Sequence, residues 1–193
     1  MPSSSAVLFT MGHGARPVES FVAILGSASV GTLVDIRRYP GSRRHPQFGR
    51  DALATALAEH DLRYEWGGAA LGGRRSARPD SRHTALHSAS FRGYADHMDT
   101  PEFRAAVDTL VTRAATERLA IMCAESYWRQ CHRMLVADAL TLRGATVVHL
   151  LDGERREEHR CHPTMRRGED GWPVYDQPDT LPGLGDLGQV GRR

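Results

Sequence analysis

Leu119-Ala120-Ile121-Met122-Cys123 and Thr146-Val147-Val148-His149-Leu150-Leu151 are two near-continuously apolar runs separated by one helical stretch. Short apolar runs without polar alternation suit strands buried on both faces, as in a parallel sheet. Between them Leu135, Ala139 and Leu142 mark a helix, and Gly144 ends it, because glycine readily takes the left-handed conformation that closes a helix. Strand, helix and strand in this order predict a βαβ unit.

The same alternation extends towards the N-terminus. Val7-Leu8-Phe9-Thr10-Met11 reads as a strand, and Pro17 opens a helix with Val18, Phe21, Val22 and Leu25 on one face. Thr32-Leu33-Val34-Asp35-Ile36 is a second strand. Residues Asp51 to His60 form a helix around Leu53 and Leu57, and Leu62-Arg63-Tyr64-Glu65-Trp66 is a third strand. Gly67 to Ser90 has no periodicity and reads as a long loop; loops of that length inside a compact domain are usually either functional or disordered. Thr100-Pro101 is a helix start, a cap residue followed by proline, and Phe103, Val107, Leu110, Val111 and Ala114 form the apolar stripe. The predicted fold is α/β, a single three-layer domain with a mostly parallel sheet of about five strands and helices on both faces, over residues 1–165. Residues 166–193 are polar and rich in Gly and Pro, and read as a tail or arm.

A chain of 193 residues is long enough for one domain with a sizeable core and short for two. No apolar run reaches the roughly 18 to 20 residues of a membrane span, so no membrane association is expected. Met1-Pro2-Ser3-Ser4-Ser5 lacks the basic start and apolar stretch of a secretory leader. Cys123, Cys131 and Cys161 make an odd count, which argues against a disulfide framework and for reduced thiols in a cytoplasm. The net charge of +2 is too small to point to nucleic acid by itself. Every basic residue is arginine, with no lysine in the chain. That excludes Schiff-base lysines, pyridoxal phosphate attachment and phosphate-loop lysines. Each cationic contact is then a flat, permanently charged, bidentate guanidinium.

Ligands of open parallel sheets sit beyond the carboxyl ends of the strands. The segments there are Gly12-His13-Gly14 after the first strand and Asp35-Ile36-Arg37-Arg38-Tyr39-Pro40-Gly41-Ser42-Arg43-Arg44-His45 after the second. Leu71-Gly72-Gly73-Arg74-Arg75 follows the third, and Cys123-Ala124-Glu125 the fourth, with Cys131-His132-Arg133 opening a helix. Asp35, ending a strand among arginines, is expected to orient one of them as a bidentate pair. A thiol near a helix N-terminus has a lowered pKa, and the same helix end binds anions. Cys123 and Arg129 also stand at the cysteine-to-arginine spacing of tyrosine phosphatase loops, although Glu125, Tyr127 and Trp128 replace the small residues such loops carry. Residues Ile121 to Leu150 are similar in pattern to the C-terminal half of a rhodanese domain.

Gly12-His13, Leu33 to Arg43, Leu71-Gly72-Gly73, Phe91-Arg92-Gly93-Tyr94, Cys123-Ala124-Glu125 and Cys131-His132-Arg133 together resemble the bacterial family called "domain of unknown function 488", in family order from about residue 7 to 165. The resemblance implies an α/β fold with one pocket built from these motifs. Two positions depart from the family pattern. Gly14 stands where serine is usual, and Tyr127 where a proline usually precedes the tryptophan.

The leading expectation is an enzyme-like pocket for a small anionic or nucleotide-like ligand, of hydrolase or transferase type. His13, Cys123, Glu125, Cys131 and His132 are its candidate catalytic residues. Asp35, Arg37, Ser42, Arg43, Gly72, Gly73 and Arg133 are its candidate ligand contacts, with Arg133 and free amides of its helix pointing into the pocket. No cofactor is specified. One alternative is an arginine-rich nucleic-acid-binding module without catalysis. Another is a metal-binding protein that uses Cys131-His132, His159 and Cys161-His162.

Overall fold

A computed structural model of the chain describes residues 6–41 and 44–177. Its main sheet has six strands in the order β3-β2-β4-β1-β5-β6. They are β1 (Val7–Gly12), β2 (Thr32–Asp35), β3 (Arg63–Trp66), β4 (Leu119–Cys123), β5 (Thr146–Leu150) and β6 (Arg156–Glu158). The first five run parallel, and β6 joins β5 antiparallel. The five strands read from the sequence are all present; the apolar runs of β1, β2, β4 and β5 are largely buried, whereas the edge strand β3 is partly exposed.

Successive side chains of a strand point to opposite faces, and two separate cores result. Phe9, Met11, Leu33, Ala120 and Met122 pack against α1 (Val18–Ser27) and α2 (Arg50–Ala58). Leu8, Val34, Leu119, Ile121, Cys123 and Val147 pack against α4 (Ala89–Met98), α5 (Pro101–Ala114) and α6 (Arg133–Leu142). Thr100 caps α5 by accepting from the Phe103 amide at 3.3 Å, as its sequence predicts. Within the long loop, Gly68–Leu71 forms a single helical turn, α3. The loop is tied down elsewhere: Leu86 is buried, and the Ala85 amide donates to the Tyr175 carbonyl at 2.9 Å.

The C-terminal boundary needs correction. Met165–Arg167 (β7) and Pro173–Tyr175 (β8) form a hairpin. Trp172, Val174 and Tyr175 are buried, and Trp172 and Tyr175 belong to the α4–α6 core. The hairpin was not legible because its strands are only three residues long, too short to show a period. Residues 178–193 of the expected tail lie outside the described residues, as do the site candidates Ser42 and Arg43. Among the described residues no helix is long and apolar enough to cross a membrane.

Candidate functional site

The strand order places β4 between β2 and β1. The register then pairs Gly12 with Cys123 and Asp35 with Met122, so the carboxyl ends of three neighbouring parallel strands meet. Beyond β1, a Cβ on Gly12 would stand 1.7 Å from the Glu125 carbonyl oxygen, so only glycine allows the loop after β4 to cross there. Gly14 has φ +55°, and a Cβ there would stand 2.0 Å from Ser126 Oγ. The Ser126 hydroxyl thus fills the space that a side chain at position 14 would take.

Asp35 and Arg37 form the bidentate pair that the sequence suggests. The guanidinium donates to both carboxylate oxygens, with Nη2 to Oδ2 at 2.6 Å and Nε to Oδ1 at 2.9 Å. Tyr64 donates its hydroxyl to the same Oδ2 at 2.8 Å. Burial first, and then the Asp35 charge, holds the Tyr64 phenol above its ordinary range. Arg37 also donates to the Phe48 carbonyl at 2.8 Å, and its Nη1 lies 3.3 Å from His13 Nε2. His13 stacks on Phe48, with centroids 4.3 Å apart, and its Nδ1 lies 2.8 Å from the Gly14 carbonyl. Nδ1 therefore carries the proton, and Nε2 accepts from Arg37. Burial lowers the His13 pKa to about 4, with Arg37 and His45 adding to the effect, so the ring is neutral near pH 7.

Cys123 ends β4 and Cys131 precedes α6. Both are buried, and their thiols are hydrogen-bonded to each other. Burial by itself raises the Cys123 thiol. The hydrogen bond from Cys131 and the nearby Arg133 guanidinium outweigh it, so Cys123 titrates below the ordinary thiol range. Burial and the Cys123 sulfur push Cys131 up. The shared proton therefore rests on Cys131.

Arg133 is 2% exposed, and its Nη2 donates to the Glu125 and Ser126 carbonyls at 3.2 and 3.3 Å. Its Nε and Nη1 are buried with no hydrogen-bond partner among the described residues. A buried guanidinium without a carboxylate calls for a counter-anion, and the neighbouring thiols can supply it. The first amides of α6 are not free as expected. The Arg133 amide points at Cys131 Sγ at 3.4 Å, and the Met134 amide donates to the Cys131 carbonyl. His132 Nε2 donates to the Ile36 carbonyl at 3.2 Å, which leaves Nδ1 facing Cys131 Sγ at 3.5 Å. Burial lowers this histidine to about 4 as well.

These groups border a cleft of about 890 Å³. His13, Arg37, Gly73, Cys123, Glu125, Cys131 and His132, all named from the sequence, line it. A Cβ on Gly73 would stand 2.9 Å from His132 Nδ1, so glycine leaves room for the imidazole. Three other candidates do not line the cleft. Asp35 lies behind Arg37, Gly72 packs against Arg38 and the Gly68 carbonyl, and the Arg133 guanidinium lies beneath the loop. Arg129 does not complete a phosphatase-like loop either, since it stacks on Trp128 and pairs with Glu157 at 2.8 Å.

Arg38, Arg44 and Arg74 also line the cleft, and none has an ion-pair partner among the described residues. Arg38 donates to the Arg74 carbonyl at 3.0 Å. The sequence placed all three in arginine loops without separating them from their neighbours.

A second polar group is wholly buried. Thr10 Oγ1 bonds His149 Nδ1 at 2.6 Å, His149 Nε2 meets His159 Nδ1 at 2.9 Å, and His159 Nε2 meets Asp138 Oδ1 at 2.8 Å. Burial holds His149 near 2, hence neutral. Asp138 also accepts from the Tyr175 hydroxyl at 2.8 Å and the His162 amide at 3.0 Å. Asp138, His159 and Cys161 have the donor types of a metal site, and so do His83, Asp96 and Asp99. The latter group is held by arginines, with Asp99 paired to Arg78 and Arg82. The sequence did carry a signal for Asp138, a carboxylate three residues after Leu135 on the apolar stripe of its helix.

A sequence model of the family described as "Domain of unknown function DUF488" matches residues 17–140, and the chain belongs to that family. No curated protein and no solved structure matches it.

Proposed function

We propose that this member of the family binds a small anionic or nucleotide-like ligand in the cleft and acts on it as a thiol-dependent hydrolase or transferase. One observation carries the reading: Arg38, Arg44 and Arg74, without carboxylate partners among the described residues, surround a cleft that holds the Cys123–Cys131 thiol pair. The arginines attract and orient the anion. The Cys123 thiolate, favoured by Arg133 behind it, attacks the ligand's electrophilic centre; a bond to sulfur forms and the leaving group departs with the proton held by Cys131. Water or an acceptor hydroxyl then attacks the sulfur-bound group, Cys123 leaves as the thiolate, and His132 Nδ1, 3.5 Å from Cys131 Sγ, passes the attacking oxygen's proton back to Cys131.

Calorimetry with a panel of nucleotides and sugar phosphates tests the reading. A charge-assisted contact contributes about 1.5–3 kcal/mol, roughly ten- to a hundredfold in affinity. Arg74→Ala should therefore weaken the best ligand by about that factor and leave the fold intact. Absence of binding, or equal binding by wild type and Arg74→Ala, would rule out the anion cleft. If only polynucleotides bind, with steep salt dependence, the loops form a nucleic-acid surface instead.

A further inference from the structure

A second cavity, of about 680 Å³, shares Ser88 and Phe91 with the thiol cleft and is bordered by Cys161, His162, Arg160 and Met134. Cys161 stands at its wall, with Asp138 of α6 and His159 of the segment after β6 buried behind it. A carboxylate oxygen, an imidazole nitrogen and a thiol sulfur there all lie within 4.8 Å of one another. We propose that these three residues bind a zinc-class divalent cation, with a fourth coordination position open to this cavity. This is independent of the reading of the thiol cleft.

Three features carry the assignment. The first is the donor set. A sulfur, a nitrogen and one oxygen suit a borderline-soft ion such as zinc, whereas magnesium and calcium prefer oxygen alone.

The second is where the protons lie. His159 Nε2 is 2.8 Å from Asp138 Oδ1, and the Cys161 thiol is hydrogen-bonded to the same carboxylate. Two N–H and S–H protons thus converge on one oxygen pair, where a single dication would bridge all three donors. On binding, the Cys161 S–H bond breaks, a sulfur–metal bond forms and one proton leaves to solvent. His159 keeps a single proton by moving it from Nε2 to Nδ1.

The third is the bracing of the ligands on the side away from the cavity. Metal-bound histidines usually have their other nitrogen held, and ligating carboxylates are themselves hydrogen-bonded. Here His159 Nδ1 meets His149 Nε2 at 2.9 Å, and His149 is stacked on Trp128 with centroids 4.0 Å apart. Asp138 Oδ2 is held by the Tyr175 hydroxyl. The His149 tautomer can reverse with that of His159, because Thr10 Oγ1 beyond it both donates and accepts. Three protein ligands with a cavity on the remaining side is the arrangement of zinc sites that keep a water or ligand position open.

The test is a titration of chelator-stripped full-length protein with Co²⁺, read by the charge-transfer absorption of a cobalt–thiolate bond. The expected result is a band saturating at one equivalent and displaced by Zn²⁺. It should be lost in Cys161→Ser and retained in Cys123→Ser and Cys131→Ser. Tyr175→Phe, which removes only the bracing hydroxyl, should weaken Zn²⁺ binding roughly 10- to 100-fold. Absence of a thiolate band in the wild type overturns the proposal, and so does a band that survives in Cys161→Ser. If Cys161→Ser folds poorly, a band retained when Cys123 and Cys131 are both replaced by serine assigns the thiolate to Cys161, and its loss in that variant overturns the proposal.

Discussion

Arg37 Nη1 stands 3.3 Å from His13 Nε2 and occupies that nitrogen's lone pair. The other nitrogen of the ring is engaged by the Gly14 carbonyl. Both sequence-named histidines are neutral near pH 7, but they are not equivalent. In this conformation His13 has no nitrogen left for a substrate proton, whereas His132 directs Nδ1 at Cys131. In the proposed reaction His13 is a fixed wall of the cleft, and His132 is the ring placed for proton transfer.

That wall depends on Asp35. Arg37 is 7% exposed, and Asp35 is its only carboxylate partner among the described residues. Asp35→Asn strands the buried guanidinium and should destabilise the protein by about 3–5 kcal/mol. Tyr64→Phe, which removes one hydrogen bond to Asp35, should cost about 1 kcal/mol. Urea unfolding of both variants checks the ranking. Similar losses for the two would mean that Asp35 does not carry the Arg37 charge.

The thiol pair predicts a pH profile. Alkylation of Cys123, located by peptide mapping, should rise with an inflection below the free-thiol value of about 8.5. Cys131→Ala removes the hydrogen bond that favours the Cys123 thiolate, so the inflection should move up. If it stays in place, Cys131 has no hold on Cys123.

His13 makes stability depend on acid. Its pKa is about 4 folded against 6.5 unfolded. Between these values the unfolded chain binds more protons, so stability falls as pH drops from 6.5 towards 4 and is fully retained above 6.5. Burial of this one ring accounts for up to about 3 kcal/mol over that window. The midpoint of thermal unfolding should therefore fall across the window, and less steeply in His13→Asn. Parallel curves would show that other groups dominate.

The hairpin predicts two outcomes of shortening. A chain ending at residue 165 loses Trp172, Val174 and Tyr175 from the core and the Tyr175 hydroxyl from Asp138. Losing a large buried aromatic typically costs about 3–5 kcal/mol, so this chain should fail to fold. A chain ending at residue 177 should fold. Soluble, cooperative unfolding of the shorter chain would show that the hairpin is dispensable.

The parallel strands were legible because burial on both faces forces long apolar runs, as in Leu119–Cys123. The edges of the site were legible too, since strand ends can be counted to Gly12, Asp35 and Cys123. What each arginine does was not. Arg37, Arg38 and Arg44 share one loop, yet Arg37 meets a carboxylate and the other two have no ion pair among the described residues. The path of the backbone just beyond β2 decides this, since it returns Arg37 onto Asp35 two residues before it. Arg133 was read as a ligand contact because it opens a helix, but the crossing of the Glu125 loop over Gly12 encloses it. The Asp138 network joins β1, α6, β5 and β8, and no local pattern spans so many segments.

The position of β1 also bears on how the chain emerges from the ribosome. It precedes the other strands of its sheet in the chain, yet it lies inside that sheet, with Leu8 paired to Leu119 on one side and Val147 on the other. Neither neighbour exists until the chain has reached Leu119, the start of β4. Leu8, Phe9 and Met11 must therefore remain unpaired while the residues between β1 and β4 are made, exposed to chaperones or to other nascent chains. Such delayed, long-range pairing is slow and prone to aggregation. Synthesis that stalls before residue 146 would release a chain whose central strand lacks one of its two partners.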